Sequence, residues 1–206
     1  MLFVVLLQNQ ISHFTTDMTQ NDRDKIGNTI IYIAQQVKPL SKTKLLKLLF
    51  LMEEYSVKRF HTPFLGMAFE VWQAGPVLRD IFIDLSETPV LLDGYITKIH
   101  KKGKTYIEQA TAFDDSEFSD NDMIVMDDII KKYKNMTAKQ LVDITHRKEG
   151  LWYKTAEQNN LLPRFKEKLI NNTTIQIDLS GELSGCSRDF YLEQLDFLNH
   201  ARENAI

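Results

Sequence analysis

Five histidines, a single cysteine and scattered carboxylates are the groups in this 206-residue chain whose chemistry could be catalytic. His146 keeps the most suggestive company. Asp143 and Glu149 lie three residues to either side of it, and side chains three apart share a helix face. A carboxylate so placed can fix an imidazole tautomer, as in a base and its orienting partner. The competing reading is a histidine that closes its helix at the negative end of the dipole. Metal binding needs further ligands, and none is spaced for it, so neither metal nor cofactor is expected. Cys186 stands just ahead of an expected helix start, a place that can lower a thiol pKa, but no histidine neighbours it in sequence. It reads as an incidental thiol. The sequence contains no G-x-x-x-x-G-K-[ST], G-x-G-x-x-G, H-E-x-x-H or G-x-S-x-G run. The expectation is a protein without catalysis.

Binding chemistry is better represented. Lys101, Lys102 and Lys104 surround Gly103, with Lys98 and His100 just before them. Such a tip could be the wing of a winged-helix module, and Ser41, Lys42, Lys44 and Lys47 would then begin its recognition helix. It could equally be a soluble turn that protects a sheet edge. After the hairpin the charge changes sign. Residues 105–130 carry eight acids and no Lys or Arg. Within that stretch Asp114, Asp115, Glu117 and Asp120 are candidates for contact with a basic partner, against a plain solvated surface. Trp72 and Trp152, with Phe69 and Tyr153, are the large aromatic anchors, serving core or interface.

The elements that must position these groups follow from periodicity. Residues 22–37 read as a helix, with Ile26, Ile30, Ile33, Ala34 and Val37 on one face. Ser41 caps a second helix over 42–60, whose Leu45, Leu46, Leu48, Leu49, Met52 and Tyr55 make it the central core helix. Lys42, Lys44, Lys47, Glu53, Glu54, Lys58 and Arg59 are expected on what remains of its surface. Residues 67–72 alternate as a short strand, and Pro76 is expected at the first position of a helix reaching Leu85. Residues 95–99 and 105–108 form a hairpin. Ser119 to Asp122 reads as a capping box opening a helix to Tyr133, and T-x-x-Q at Thr137 opens another, with Met136 and Leu141 as its hydrophobic staple. Residues 151–158 add a turn or two of helix, 174–179 a possible strand, and Ser187 caps a last helix bearing Phe190, Tyr191, Leu195, Phe197 and Leu198. The class is α+β and predominantly helical: five or six helices, one small hairpin and one or two short strands.

Composition sets the frame. Hydrophobic residues make 43% and charged residues 26%, and the net charge is −3. That is too neutral for a dedicated polybasic nucleic-acid binder and too apolar for a disordered chain. The −3 divides unevenly: residues 1–104 carry 13 basic and 10 acidic groups, residues 105–206 carry 12 and 18. One cysteine excludes a disulfide framework and suits a reducing compartment. The apolar run Met1 to Leu7 lacks the basic flank and cleavage site of a secretory signal and is far shorter than a membrane span. A cytoplasmic protein with no membrane contact is expected. Residues 1–17 are either an extension upstream of the native start or a short element on the core.

Three segments together resemble a known family. Lys44-Leu45-Leu46-Lys47-Leu48-Leu49-Phe50-Leu51, Thr62-Pro63-Phe64, and Phe69-Glu70-Val71-Trp72-Gln73-Ala74-Gly75-Pro76-Val77 are similar to the Panacea (SocA-like antitoxin, phage-associated) domain. Thr145-His146 and Gly150-Leu151-Trp152 resemble its downstream T-H…W block, with Leu151 where the family commonly has proline. The resemblance covers about residues 25–157. It implies a domain over 18–157, with 1–17 and 158–206 as terminal extensions, the latter ending in a helix. It implies an antitoxin of a bacterial or phage toxin–antitoxin pair, which neutralises a cognate toxin by direct binding or presents it to an ATP-dependent protease. In that reading Lys44, Lys47, Trp72, Gly75, Pro76, His146 and Trp152 define the fold and none is catalytic. The alternative is a winged-helix DNA-binding regulator, with Lys101, Lys102 and Lys104 on the nucleic acid.

Overall fold

A computed structural model describes residues 18–205; the apolar amino-terminal run lies outside the described residues. The chain opens with α1 (Gln20–Gln36) and α2 (Lys42–Phe60). A tight hairpin follows, β1 (Glu70–Trp72) with β2 (Gly75–Val77), then α3 (Arg79–Ser86). A second hairpin, β3 (Ile96–Lys101) with β4 (Lys104–Gln109), leads to α4 (Asp120–Tyr133), α5 (Ala138–Thr145), α6 (Leu151–Gln158) and α7 (Leu161–Lys166). A 3-10 turn over Leu179–Glu182 precedes the terminal α8 (Gly185–Glu203). The described residues thus hold eight α-helices and two antiparallel hairpins. The class is the expected α+β, but the helices outnumber the expected five or six: residues 151–158 form the expected turn or two of helix, and a further short helix, Leu161–Lys166, follows it.

Helix α2 is the axis of the molecule. Thirteen of its nineteen residues are buried; α4, α5, β2, β4, α3 and the 3-10 turn all pack on it. A helix apolar on nearly every side belongs inside. Lys44, Lys47, Glu53 and Glu54, expected on the solvated remainder, are among the buried residues, because elements from the rest of the chain cover that side as well. Ser41 caps α2 through the Lys44 N–H, and the boxes at Ser119 and Thr137 close reciprocally. Thr19 and Asp22 form a third box, starting α1 two residues before the expected position.

Two local expectations are corrected. Pro76 does not begin a helix. It lies in β2, paired with Val71, and α3 starts at Arg79 with no side-chain cap. Gly75 adopts φ +99° and reverses the chain too sharply for Pro76 to enter a helix directly. Nor does Ser187 cap the last helix: α8 begins at Gly185, after Ser184.

Residues 174–179 run beside β1 without forming a full strand. Val71 N–H donates to Ile175 O at 2.8 Å and Ile177 N–H to Phe69 O at 2.8 Å, and the 3-10 turn follows. Leu161, Phe165, Ile177, Leu179 and Tyr191 join the same hydrophobic core as α1, α2 and α4. On α8, Tyr191 faces inward, while Phe190, Leu192 and Phe197 are exposed.

Candidate functional site

All the residues of the motif except Lys44 converge on one feature, the β1–β2 turn. Lys47, from α2, donates its Nζ to Pro76 O at 2.7 Å. His146, at the end of α5, sets Nε2 3.1 Å from Gln73 O. Trp152, in the first turn of α6, donates Nε1 to Trp72 O at 3.0 Å. Three side chains from three helices therefore grip three main-chain carbonyls of one turn. Buried backbone acceptors demand partners, and these side chains supply them at the turn. Glu70 holds the Trp72 indole, accepting its N–H at 2.8 Å.

The fit is close. A Cβ on Gly75 would lie 2.8 Å from Lys47 Cε and 2.9 Å from Thr145 Oγ1. The His146 ring centroid sits 3.7 Å from that of Trp152, and Phe165 stacks on the tryptophan at 6.1 Å. Lys44, the other lysine of the motif, is also spent internally, donating to Lys134 O at 2.7 Å.

Burial governs the titration of this cluster. It drives Lys47 down to about 7, since a charged amine is costly away from water. His146 is lowered as well. Burial is the main cause and the Lys47 charge adds to it, against the Val142 and Gln73 carbonyls that face its two ring nitrogens. Asp143 pulls weakly the other way and makes no hydrogen bond to the imidazole. The base–orienter pair suggested by spacing is therefore not formed: His146 ends its helix with Nδ1 2.6 Å from Val142 O. Cys186 is exposed. Among the described residues no group of three or more His, Cys, Asp or Glu is placed to hold a metal ion, and no helix is long and apolar enough to cross a membrane.

The recognition helix of a winged module is not available either. Lys44 and Lys47 are inside, and Lys42 donates to Ser86 Oγ at 2.8 Å while its ammonium lies over the Phe82 ring. Only the tip remains: Lys101, Lys102 and Lys104 are exposed around the turn, where Lys102 and Gly103 take positive φ.

The acidic stretch has a different setting. Tyr32, Phe113 and Phe118 form a chain of rings, with centroids 5.2 Å and then 5.7 Å apart. All three are half-buried. Asp114 and Asp115 follow Phe113 directly, and both are exposed, as is Asp120 at the start of α4; Glu117 is half-buried. Asp114 is anchored: its N–H donates to Asn28 Oδ1 at 2.9 Å, and its carboxylate accepts from Ser116 N–H, which lowers its pKa. Tyr32 also hydrogen-bonds Asp127, so a further carboxylate borders the strip. Asp122 is not part of it, being buried against Ser119 and Lys25.

Sequence reasoning missed two buried carboxylates. Glu53 accepts the N–H groups of Phe64, Leu65 and Gly66 at 3.1, 2.7 and 3.3 Å, and burial nevertheless raises its pKa. Arg147 donates to Glu54 from Nη2, which lies 2.7 Å from both carboxylate oxygens. Acids on a helix normally signal solvent; the only available clue was that the apolar face of α2 leaves too little room for one.

An α+β body that spends its sequence motif on its own backbone matches a known class. The family described as antitoxin SocA-like, Panacea domain, matches residues 45–153, more than half of the chain. The chain belongs to that family. The matched span runs from α2 through the start of α6, so it includes the turn and all three side chains that grip it; α1 and α8 lie outside it. No curated protein and no solved structure matches the chain.

Proposed function

We propose that the protein is an antitoxin of a toxin–antitoxin pair, acting in the cytoplasm by direct binding to a cognate toxin without catalysis. Membership of the SocA-like antitoxin family supports the class of function. The observation that carries the binding surface is the ring chain Tyr32–Phe113–Phe118 bordered by Asp114, Asp115, Glu117 and Asp120. Half-buried aromatics are the usual anchors of protein interfaces, and a rim of one charge sign steers a partner of the other. A toxin with a basic face fits. Many RNA-directed proteins have one, because their substrate is a polyanion. A stable complex would bury about 1,600 Å² in total, so the strip is the centre of a larger contact. The gripped turn, by contrast, has its role inside the fold: Lys47, Gly75, Pro76, His146 and Trp152 hold the scaffold that displays the strip.

The test has two stages. A small neighbouring reading frame, toxic alone and tolerated with this protein, establishes the pair; absence of any such frame counts against the class. Reversal of Asp114, Asp115, Glu117 and Asp120 to Lys is then expected to slow association with the toxin and to remove its salt dependence. Unchanged affinity and salt dependence would refute the surface while leaving the class intact.

A further inference from the structure

A groove of about 740 Å³ opens between the end of α1 and the β3–β4 hairpin, inside the range of about 300–1,000 Å³ typical of small-molecule sites. Its base is apolar, with Leu40 and Ile107 buried. Its wall is a hydrophobic platform. Ile99 and Tyr106 are Cα partners in the hairpin, so their side chains lie side by side on one face. Ile99 is 42% exposed, an unusual position for isoleucine, and Tyr106 is half-buried.

The rim is cationic. Lys38, Lys101 and Lys102 line the groove, are exposed, and have no hydrogen-bond or ion-pair partner for their ammonium groups among the described residues. Apart from Lys104 in the hairpin, the other lysines in the first half of the chain are engaged: Lys25 with Asp122, Lys42 with Ser86, Lys44 with Lys134 O, Lys47 with Pro76 O, Lys58 with Glu54, and Lys98 with the carbonyls that end α3. Three uncommitted cations from two separate segments thus meet at one aromatic-walled groove. A hairpin tip needs only one or two lysines for solubility, and neither Lys38 nor the Ile99–Tyr106 platform serves that end.

We propose that this groove binds a nucleotide, its base stacked on Tyr106 beside Ile99 and its phosphates on Lys38, Lys101 and Lys102. Aromatic stacking accepts any base, and lysines at the rim follow the phosphates. Glu108 lies on the same face as Tyr106, two residues further along β4, and lines the groove. A carboxylate accepts from the exocyclic amino group of adenine, cytosine or guanine, and it disfavours a bare phosphate ion. A base pair in a closed duplex offers no free face to the platform, so double-stranded DNA is not the ligand. The two sources of this chemistry are a free nucleotide and a base of single-stranded RNA. The groove shares no lining residue with the acidic strip, and its test does not depend on the antitoxin reading.

The experiment is fluorescence anisotropy with fluorescein-labelled decaadenylate, with ATP, inorganic phosphate and a duplex DNA of equal length as competitors. ATP is expected to compete and phosphate is not. Decaadenylate binding tighter than ATP assigns single-stranded RNA; equal or weaker binding assigns the free nucleotide. The logarithm of affinity should fall with the logarithm of salt at a slope of about −2 for three phosphate contacts on a single strand. Lys101→Ala with Lys102→Ala should weaken binding at least tenfold and flatten that slope by about 1.4. Tyr106→Leu should weaken it by roughly tenfold, while Tyr106→Phe, which keeps the stacking ring, retains binding and shows that the hairpin still folds. The proposal is overturned if neither nucleotide probe binds at millimolar concentration, if phosphate or duplex competes as well as ATP, or if Tyr106→Leu leaves the affinity unchanged.

Discussion

Lys47→Met removes an amine that the fold has enclosed. The wild-type lysine is 1% exposed and has one partner, Pro76 O. Its pKa is about 7 in the folded chain against 10.5 in the open one. Between those values the unfolded chain binds a proton that the folded chain has released, so stability rises with pH, by about 1.4 kcal/mol per pH unit. The contribution is full above 10.5 and is lost as the pH falls to about 7. Methionine keeps most of the volume and cannot titrate. It also leaves Pro76 O without a donor, a cost of about 1–3 kcal/mol that does not vary with pH. The slope therefore carries the test, not the absolute stability. From pH 7.5 to 9.5 the wild type should gain about 2–3 kcal/mol on the variant, or about 5–10 °C in melting temperature for a chain of this size. Burial also lowers Lys42 and Lys44, but both proteins share them, so they cancel in the difference. Urea unfolding at half-unit pH steps is the assay. Parallel curves for the two proteins would refute the argument that Lys47 is a desolvated base.

Other perturbations follow from the same geometry. Gly75→Ala places a Cβ 2.8 Å from Lys47 Cε at φ +99°, and should cost about 2–4 kcal/mol in thermal unfolding. Trp152→Phe preserves an aromatic ring beside His146 but strips the donor from Trp72 O; a loss of about 1–2 kcal/mol is expected by denaturant titration. Arg202 pairs with Asp22 at 2.8 Å and donates to the carbonyls of Gly66 and Leu65, so Arg202→Ala should raise amide hydrogen exchange in α8 before any other helix. Burial alone would raise Asp22, but the hydrogen bonds and charge of Arg202, with Thr19, hold it below 3.8. Its contribution is complete above that value and fades as the pH falls through the folded-state pKa; protection of α8 should fade in step.

Much of the architecture was legible because it rests on local rules. The boxes at Ser119 and Thr137 and the cap at Ser41 formed as their spacing predicts, since a side-chain oxygen three residues before an amide meets it in any helix start. The hairpin around Gly103 formed for the same kind of reason. Misreadings came where distant segments decide. Pro76 satisfied a helix-start rule, but its environment is set by a turn whose carbonyls are taken by Lys47, His146 and Trp152, up to 80 residues away. Glu53 and Glu54 looked solvated because a sequence does not show the loop at Phe64–Gly66 or Arg147 arriving to satisfy them.

By itself, then, the sequence determined the helical character, the central place of α2, the sign change in charge and the family motif, because each is a matter of composition or of spacing along one element. Only the tertiary structure decided what the motif does. Lys47, His146 and Trp152 could have been a cationic face, a catalytic base and an interface anchor. They became three side chains set against the carbonyls of one turn because buried carbonyls must be paired, and which side chain reaches which carbonyl is fixed by packing rather than by spacing. The same packing placed Phe113 against Tyr32 and brought Lys38 and Lys101 to the rim of one groove, the two arrangements on which the proposed surfaces rest.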